Sequence, residues 1–207
     1  MYVPKAFRED DVARLHGFLR AWSFALLVTD VDGVPVATHL PLVLDEHGAP
    51  QARLIGHVAR PNPQWRSFDG TRQALAIFSG PHAYVSPTWY ATAPAVPTWN
   101  YAAVHAYGRP RVLEGPEATR DAVARLVEIH DPAWRLADQP AEFIAGMLRG
   151  IVAFEMPIER LEGKLKLSQN RPAADRPGVV RALRAGGAAE RAVAELMEGV
   201  FSTESAG

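Results

Sequence analysis

The stretch Phe24–Leu44, "FALLVTDVDGVPVATHLPLVL", decides the fold. Two runs rich in branched and aromatic residues flank Asp32-Gly33, a pair suited to the positive backbone angles of a tight hairpin turn. The pattern around it is similar. "ARLIGHVA" reads as the next strand, and "QALAIFSG" and "HAYVSPTWY" read as two more joined by a turn at Gly80-Pro81. Strands are expected at Trp99–Tyr107 and Arg109–Glu114, with "GIVAFEMPI" as the last of them. Helices punctuate this series. Asp11–Trp22 places Val12, Leu15, Leu19 and Trp22 on one face. Pro116 opens a helix to about His130 with Val123, Leu126 and Val127 as its stripe, and Ala141–Leu148 forms a short one. Beyond Ile158 the texture turns polar, through "ERLEGKLKLSQNRPAADRPG", and two helices follow, separated by Gly186-Gly187. Val193, Leu196, Met197 and Val200 form the stripe of the second. Hairpins dominate and regular βαβ alternation is absent. The expected architecture is therefore mainly β with peripheral helices (α+β), an antiparallel barrel. Residues 1–160 are expected to form the barrel, with 161–207 as a polar loop and helices packed on it within the same domain.

Composition narrows the function. Hydrophobic residues make up 48% of the 207, enough for a substantial core. Basic and acidic residues number 22 and 23, a balance that gives no global pull toward nucleic acid. With no cysteine, thiolate catalysis, disulfides, Fe–S clusters and Cys-ligated zinc are excluded. "MYVPKAFRED" has no apolar core of a secretory signal, and no apolar run approaches the ~18 residues of a membrane span. A cytoplasmic protein with no membrane partner is the expectation.

Several constellations carry possible chemistry. His39, His57, His82, His105 and His130 are scattered, with none paired at the i,i+4 spacing of a helical zinc site, so no metal site is expected. Ser86 lies in "VSPTW", outside a Gly-x-Ser-x-Gly elbow, and no dinucleotide fingerprint or P-loop occurs. No catalytic residue is identified. "GHVARPNPQW" delivers His57 and Arg60 at a strand end and Asn62 at the start of a helical turn, where a guanidinium fork and backbone N–H groups suit a phosphate. A solvated turn is the plainer alternative. "EGKLKLSQNR" gathers Lys166, Ser168 and Gln169, donors for a polar heterocycle or ordinary loop residues lying outside the barrel strands. In "VPTWNYAAVHAYGRP", Trp99, Tyr101, His105 and Tyr107 share one strand face while Asn100, Ala102, Val104 and Ala106 share the other. Both faces are expected to be buried, as core, as a subunit interface or as a pocket.

Together, "GHVARPNPQW", "YVSPTWY…VPTWNYAAVHAYG" and "EGKLKLSQNR", in that order and after the opening "MYVPKAF", resemble the PaiB-type proteins, the FMN-binding negative transcriptional regulators. The likeness runs from Met1 to about Leu183. It implies an FMN-binding split barrel, a homodimer with non-covalent FMN at the subunit interface, and repression of sporulation and degradative-enzyme genes. On that resemblance Arg60, with His57 and Asn62, would hold the phosphate. Thr38 and His39 would lie along the isoalloxazine. Trp99 and Asn100 would meet the ring, and Lys166, Ser168 and Gln169 would reach it from the same or the other subunit. DNA would be engaged directly or through a partner protein. Arg181, Arg184 and Arg191 cluster on helical faces, but Glu190, Glu195 and Glu198 offset them, and no helix-turn-helix is evident. A flavin-dependent oxidoreductase using a nicotinamide donor, or a barrel binding haem or another small molecule, would use the same residue types.

Overall fold

The computed structural model describes the backbone of residues 1–47 and 51–204, with side chains as far as Phe201. Along the chain run β1 (Arg8–Glu9), α1 (Val12–Ala21), β2 (Phe24–Val31), β3 (Val34–Pro41), β4 (Val43–Asp45), β5 (Arg53–Ala59), β6 (Ala74–Val85) and β7 (Thr98–Gly108). Then come β8 (Arg111–Val112), α2 (Pro116–His130), α3 (Ala141–Arg149), β9 (Ile151–Pro157), β10 (Arg160–Lys166), α4 (Arg176–Arg184) and α5 (Ala188–Glu204). These gather into two compact units, one of Met1–Val12, Ser79–Val104 and Glu162–Gly207, the other of Ala13–Phe78 and His105–Leu161.

In the second unit the hairpin forms as the sequence dictates. Val31 pairs with Val34, and Asp32 and Gly33 take φ of 54° and 82°, the left-handed pair that matches strand twist. The Asp30 carboxylate accepts the Gly33 N–H at 2.9 Å and closes the turn. The strand order here is β6-β2-β3, beside a separate antiparallel sheet β4-β5-β9-β8. Helix α2 covers that second sheet, with Ala122 packed against Ile55 and Ala153. Gly56 lets β5 pack closely: a Cβ there would lie 2.6 Å from Leu42 Cδ2, which would have to move aside. Asp45 and Glu155, both buried, are neutralised by arginines. Arg53 bridges the two carboxylates at 2.7 Å each, Arg125 of α2 reaches Asp45 at 2.7 Å, and Arg111 donates to Glu155 at 2.6 Å.

In the first unit the order is β1-β10-β7-β6. Its core joins Ala83 and Val85 of β6, Leu167, Val179 and Leu183 of α4, and Val193 and Met197 of α5. Asp175 is fully buried. It accepts the N–H and Oγ1 of Thr92 at 2.9 Å each and is paired with Arg171 at 2.9 Å.

Four expectations are corrected. Gly80-Pro81 is not a turn: β6 is one strand of 12 residues running through it. The pair does leave a mark, because Gly80 and Pro81 are both buried and the in-out alternation slips by one residue there, as at a bulge that tolerates a missing N–H. "RLEGKLK" is not a loop outside the sheets but strand β10. The alternation Leu161, Gly163, Leu165, Leu167 carries that signal beneath the charged residues. Only one face of β7 is buried. Asn100, Ala102, Val104 and Ala106 face inward, while Tyr101, His105 and Tyr107 are half-exposed and Trp99 is 53% exposed. In the first helix Leu15 and Leu19 are buried as expected, but Val12 is exposed and Trp22, just beyond its end, also lies at the surface.

Candidate functional site

The expected site residues fall into two groups, one in each unit. In the second unit, β3 carries Thr38 and His39, and the end of β5 carries His57 and then Arg60 and Asn62. Asn62 caps a short 3-10 turn, Pro63–Ser67, by accepting the Gln64 N–H at 3.0 Å, and Pro63 at the first position fits the turn without losing a needed donor. Its Nδ2 donates to Thr38 Oγ1 at 2.9 Å. The motif "NPQ" thereby locks the turn onto β3. Gln64, fully buried, completes the lock through Nε2, which reaches the Leu27 carbonyl and Thr29 Oγ1 at 3.1 Å each and the Val36 carbonyl at 3.2 Å. Sequence reading passed over Gln64, although a glutamine directly after an Asn-Pro cap is the visible sign.

His39 is exposed and its ring stacks on Phe24 with centroids 6.3 Å apart. His57 is half-buried, burial holds its imidazole pKa below the ordinary value, and its buried Nδ1 has no hydrogen-bond partner. A neutral ring with an orphaned nitrogen is a polar atom awaiting a ligand or a water. Arg60 is exposed, but its Nε and Nη2 donate to the carbonyls of Arg149 and Ile151 at 2.7 Å each, tying the end of β5 to β9. Its other N–H groups remain for a ligand.

In the first unit, Asn100 is fully buried and exchanges hydrogen bonds with Ser168, its Nδ2 donating to Ser168 Oγ at 3.0 Å. Ser168 takes φ of 68°, so a left-handed residue ends the run that begins in β10. Gln169 folds back on its own loop, with Oε1 accepting the Leu167 N–H at 2.7 Å and Nε2 donating to the Leu165 carbonyl at 2.5 Å. Lys166 Nζ donates to Thr98 Oγ1 at 2.6 Å and the Trp99 carbonyl at 2.5 Å. Burial first, and the Lys164 ammonium second, lower its pKa. Lys166 and the Asn100–Ser168 pair fix the strand end that presents Trp99, while Gln169 closes its own loop. The indole lies edge-on to Tyr84 at 6.0 Å, and both rings are open to solvent.

Antiparallel sheets with several helices, built on hairpins, define an α+β chain of the flavin-binding split-barrel type. Solved structures agree on that fold. The flavocytochrome Anf3 from Azotobacter vinelandii superposes with a TM-score of 0.63 at 14% identity, over 79% of this chain and 72% of that one. An FAD and heme binding protein from Mycobacterium smegmatis gives 0.60 at 19% identity, over 77% and 73%. Within that class the family is specific. Residues 1–160 match the family model described as "Putative FMN-binding domain", and the chain belongs to that family. It is 38% identical over 190 residues, 89% of each chain, to "Protease synthase and sporulation protein PAI 2" of Bacillus subtilis strain 168. No described helix is long and apolar enough to cross a membrane.

Proposed function

We propose that this chain is a PaiB-type regulator, a cytoplasmic homodimer that binds FMN without a covalent bond. The observation that carries this reading is the family match over residues 1–160, together with the 38% identity to the PAI 2 protein. The cluster on β3 and β5 fits the cofactor. His57 offers its orphaned Nδ1, and Arg60 offers its uncommitted N–H groups to the phosphate. Asn62 sets the turn beside Thr38, and the exposed His39 ring offers a flat face to the isoalloxazine. In the homodimer the exposed Trp99 faces the partner subunit, held by Lys166 and the Asn100–Ser168 pair, while Gln169 shapes the loop that carries Ser168. FMN, when bound, supplies a reversible two-electron acceptor, while the protein supplies binding and orientation.

The test is an FMN titration followed by flavin fluorescence, with the oligomeric state measured alongside. Arg60→Ala and His57→Ala are each expected to weaken binding about tenfold or more, as for loss of a charge-assisted or buried hydrogen bond. Wild-type protein indifferent to millimolar FMN would overturn the reading. Regulation has its own test. DNA from the promoter region of the chain's own gene is expected to bind with a steep salt dependence, each neutralised phosphate adding about 0.9 to the slope of log K against log salt. No retention at low salt would remove direct repression.

A further inference from the structure

Beside helices α2 and α3 the second unit carries a cleft of about 690 Å³, a size that takes a small organic molecule. Leu113, Leu148 and Val152 give it apolar walls. Arg120, near the start of α2, and Arg149, at the end of α3, both line it. Among the described residues neither forms an ion pair or a side-chain hydrogen bond, and Arg120 is half-buried. That sets them apart from Arg53, Arg111 and Arg125 of the same unit, each of which meets Asp45 or Glu155. A half-buried cation beside apolar walls is costly unless an anion joins it.

The remaining charges define that anion. Arg60 also lines the cleft, and Glu114 and Glu117 lie at its exposed edge. Without FMN, three cations against two carboxylates leave one net positive charge, which suits a monoanion better than a dianionic phosphate. With Arg60 given to FMN, Arg120 and Arg149 remain for the anion, and water screens the exposed Glu114 and Glu117. Helix α2 begins here with Gly115 as its N-cap and no side-chain cap, so the helix dipole adds to the same field.

We propose that this cleft binds a small organic monocarboxylate with an apolar body, Arg120 and Arg149 holding the carboxylate while Leu113, Leu148 and Val152 cover the body. Of the residues proposed to hold FMN only Arg60 also lines the cleft; Arg120, Arg149 and the apolar walls lie outside that cluster, so acid binding does not depend on FMN.

The experiment is calorimetric titration of the full chain with sodium benzoate and with sodium octanoate, in the absence of FMN and again with FMN present. Inorganic phosphate serves as the control for a bare anion. Saturable binding of one of the acids is expected, weakened about tenfold or more in Arg120→Ala and in Arg149→Ala, partly kept in Arg120→Lys, and unchanged in His57→Ala. Thermal melts of each variant establish that it is folded, and Arg149, exposed, provides the variant least able to disturb packing. No binding of either acid at millimolar concentration overturns the proposal, as does binding unaffected by both alanine variants. Phosphate binding as tightly as the acids overturns the carboxylate assignment. Displacement of the acid by FMN makes the cleft an arm of the flavin site and overturns its independence. Failure of FMN to bind, with acid binding intact, removes the FMN reading and leaves this one standing.

Discussion

Asn62 Nδ2 meets Thr38 Oγ1 at 2.9 Å, a hydrogen bond between residues 24 apart in the chain. It fastens the turn after β5 to the strand opposite β2, where Thr38 pairs with Leu27. The β3 and post-β5 residues proposed to meet FMN thus stand on two elements joined by this bond and by that from Gln64 Nε2 to the Val36 carbonyl.

Replacing Thr38 with valine keeps the shape and removes the acceptor. Asn62 then loses the partner of its amide. A loss of about 1–2 kcal/mol is expected, seen as a fall of a few degrees in Tm. FMN affinity should fall with it, and an unchanged Tm with unchanged affinity would show that the bond positions nothing.

Gln64 tests the lock from the inside. Gln64→Leu leaves the Leu27 and Val36 carbonyls and the Thr29 hydroxyl without their shared donor. Urea unfolding should show a loss of about 1–3 kcal/mol. Gln64→Glu should cost more, since a carboxylate would face those acceptors.

The Asp45 carboxyl gives a pH dependence. Burial alone would raise its pKa, but hydrogen bonds from Arg53, the His47 N–H and Arg125 outweigh burial and hold it below the ordinary value. A depressed carboxyl contributes stability that is present above its unfolded pKa of about 4 and is lost as pH falls through the lower folded value. Melting temperatures of the wild type should therefore drop as pH descends below about 4. Asp45→Asn should flatten that part of the curve while lowering stability at neutral pH. Parallel curves for the two proteins would refute the assignment.

Gly178 sits where the Trp89 carbonyl approaches α4. An added Cβ would lie 2.1 Å from that oxygen, so the backbone must move. Gly178→Ala should destabilise by about 1–3 kcal/mol, as overpacking does. A neutral effect in chemical denaturation would mean that the Trp89 turn yields freely.

Much of this protein was legible in local sequence. Asp32-Gly33 set a two-residue hairpin because few residues accept consecutive positive φ angles. Pro116 started α2 where a missing N–H costs nothing, and the order of hairpins marked the antiparallel class. The ordered motifs around His57, Trp99 and Lys166 pointed to the FMN-binding family. Tertiary structure decided the rest. Gly80-Pro81 spells a turn to local rules, yet β6 runs through it as one strand whose in-out alternation slips by one residue there. "RLEGKLK" looks solvated, yet β10 places Lys164 within 5.3 Å of the Tyr101 ring centroid. The strand Thr98–Gly108 could have buried either face or both, and its inward face is the one with small residues. Turn angles and helix starts are settled by a few adjacent residues. Which face is covered, and which charge finds a partner, depends on residues brought close only by folding.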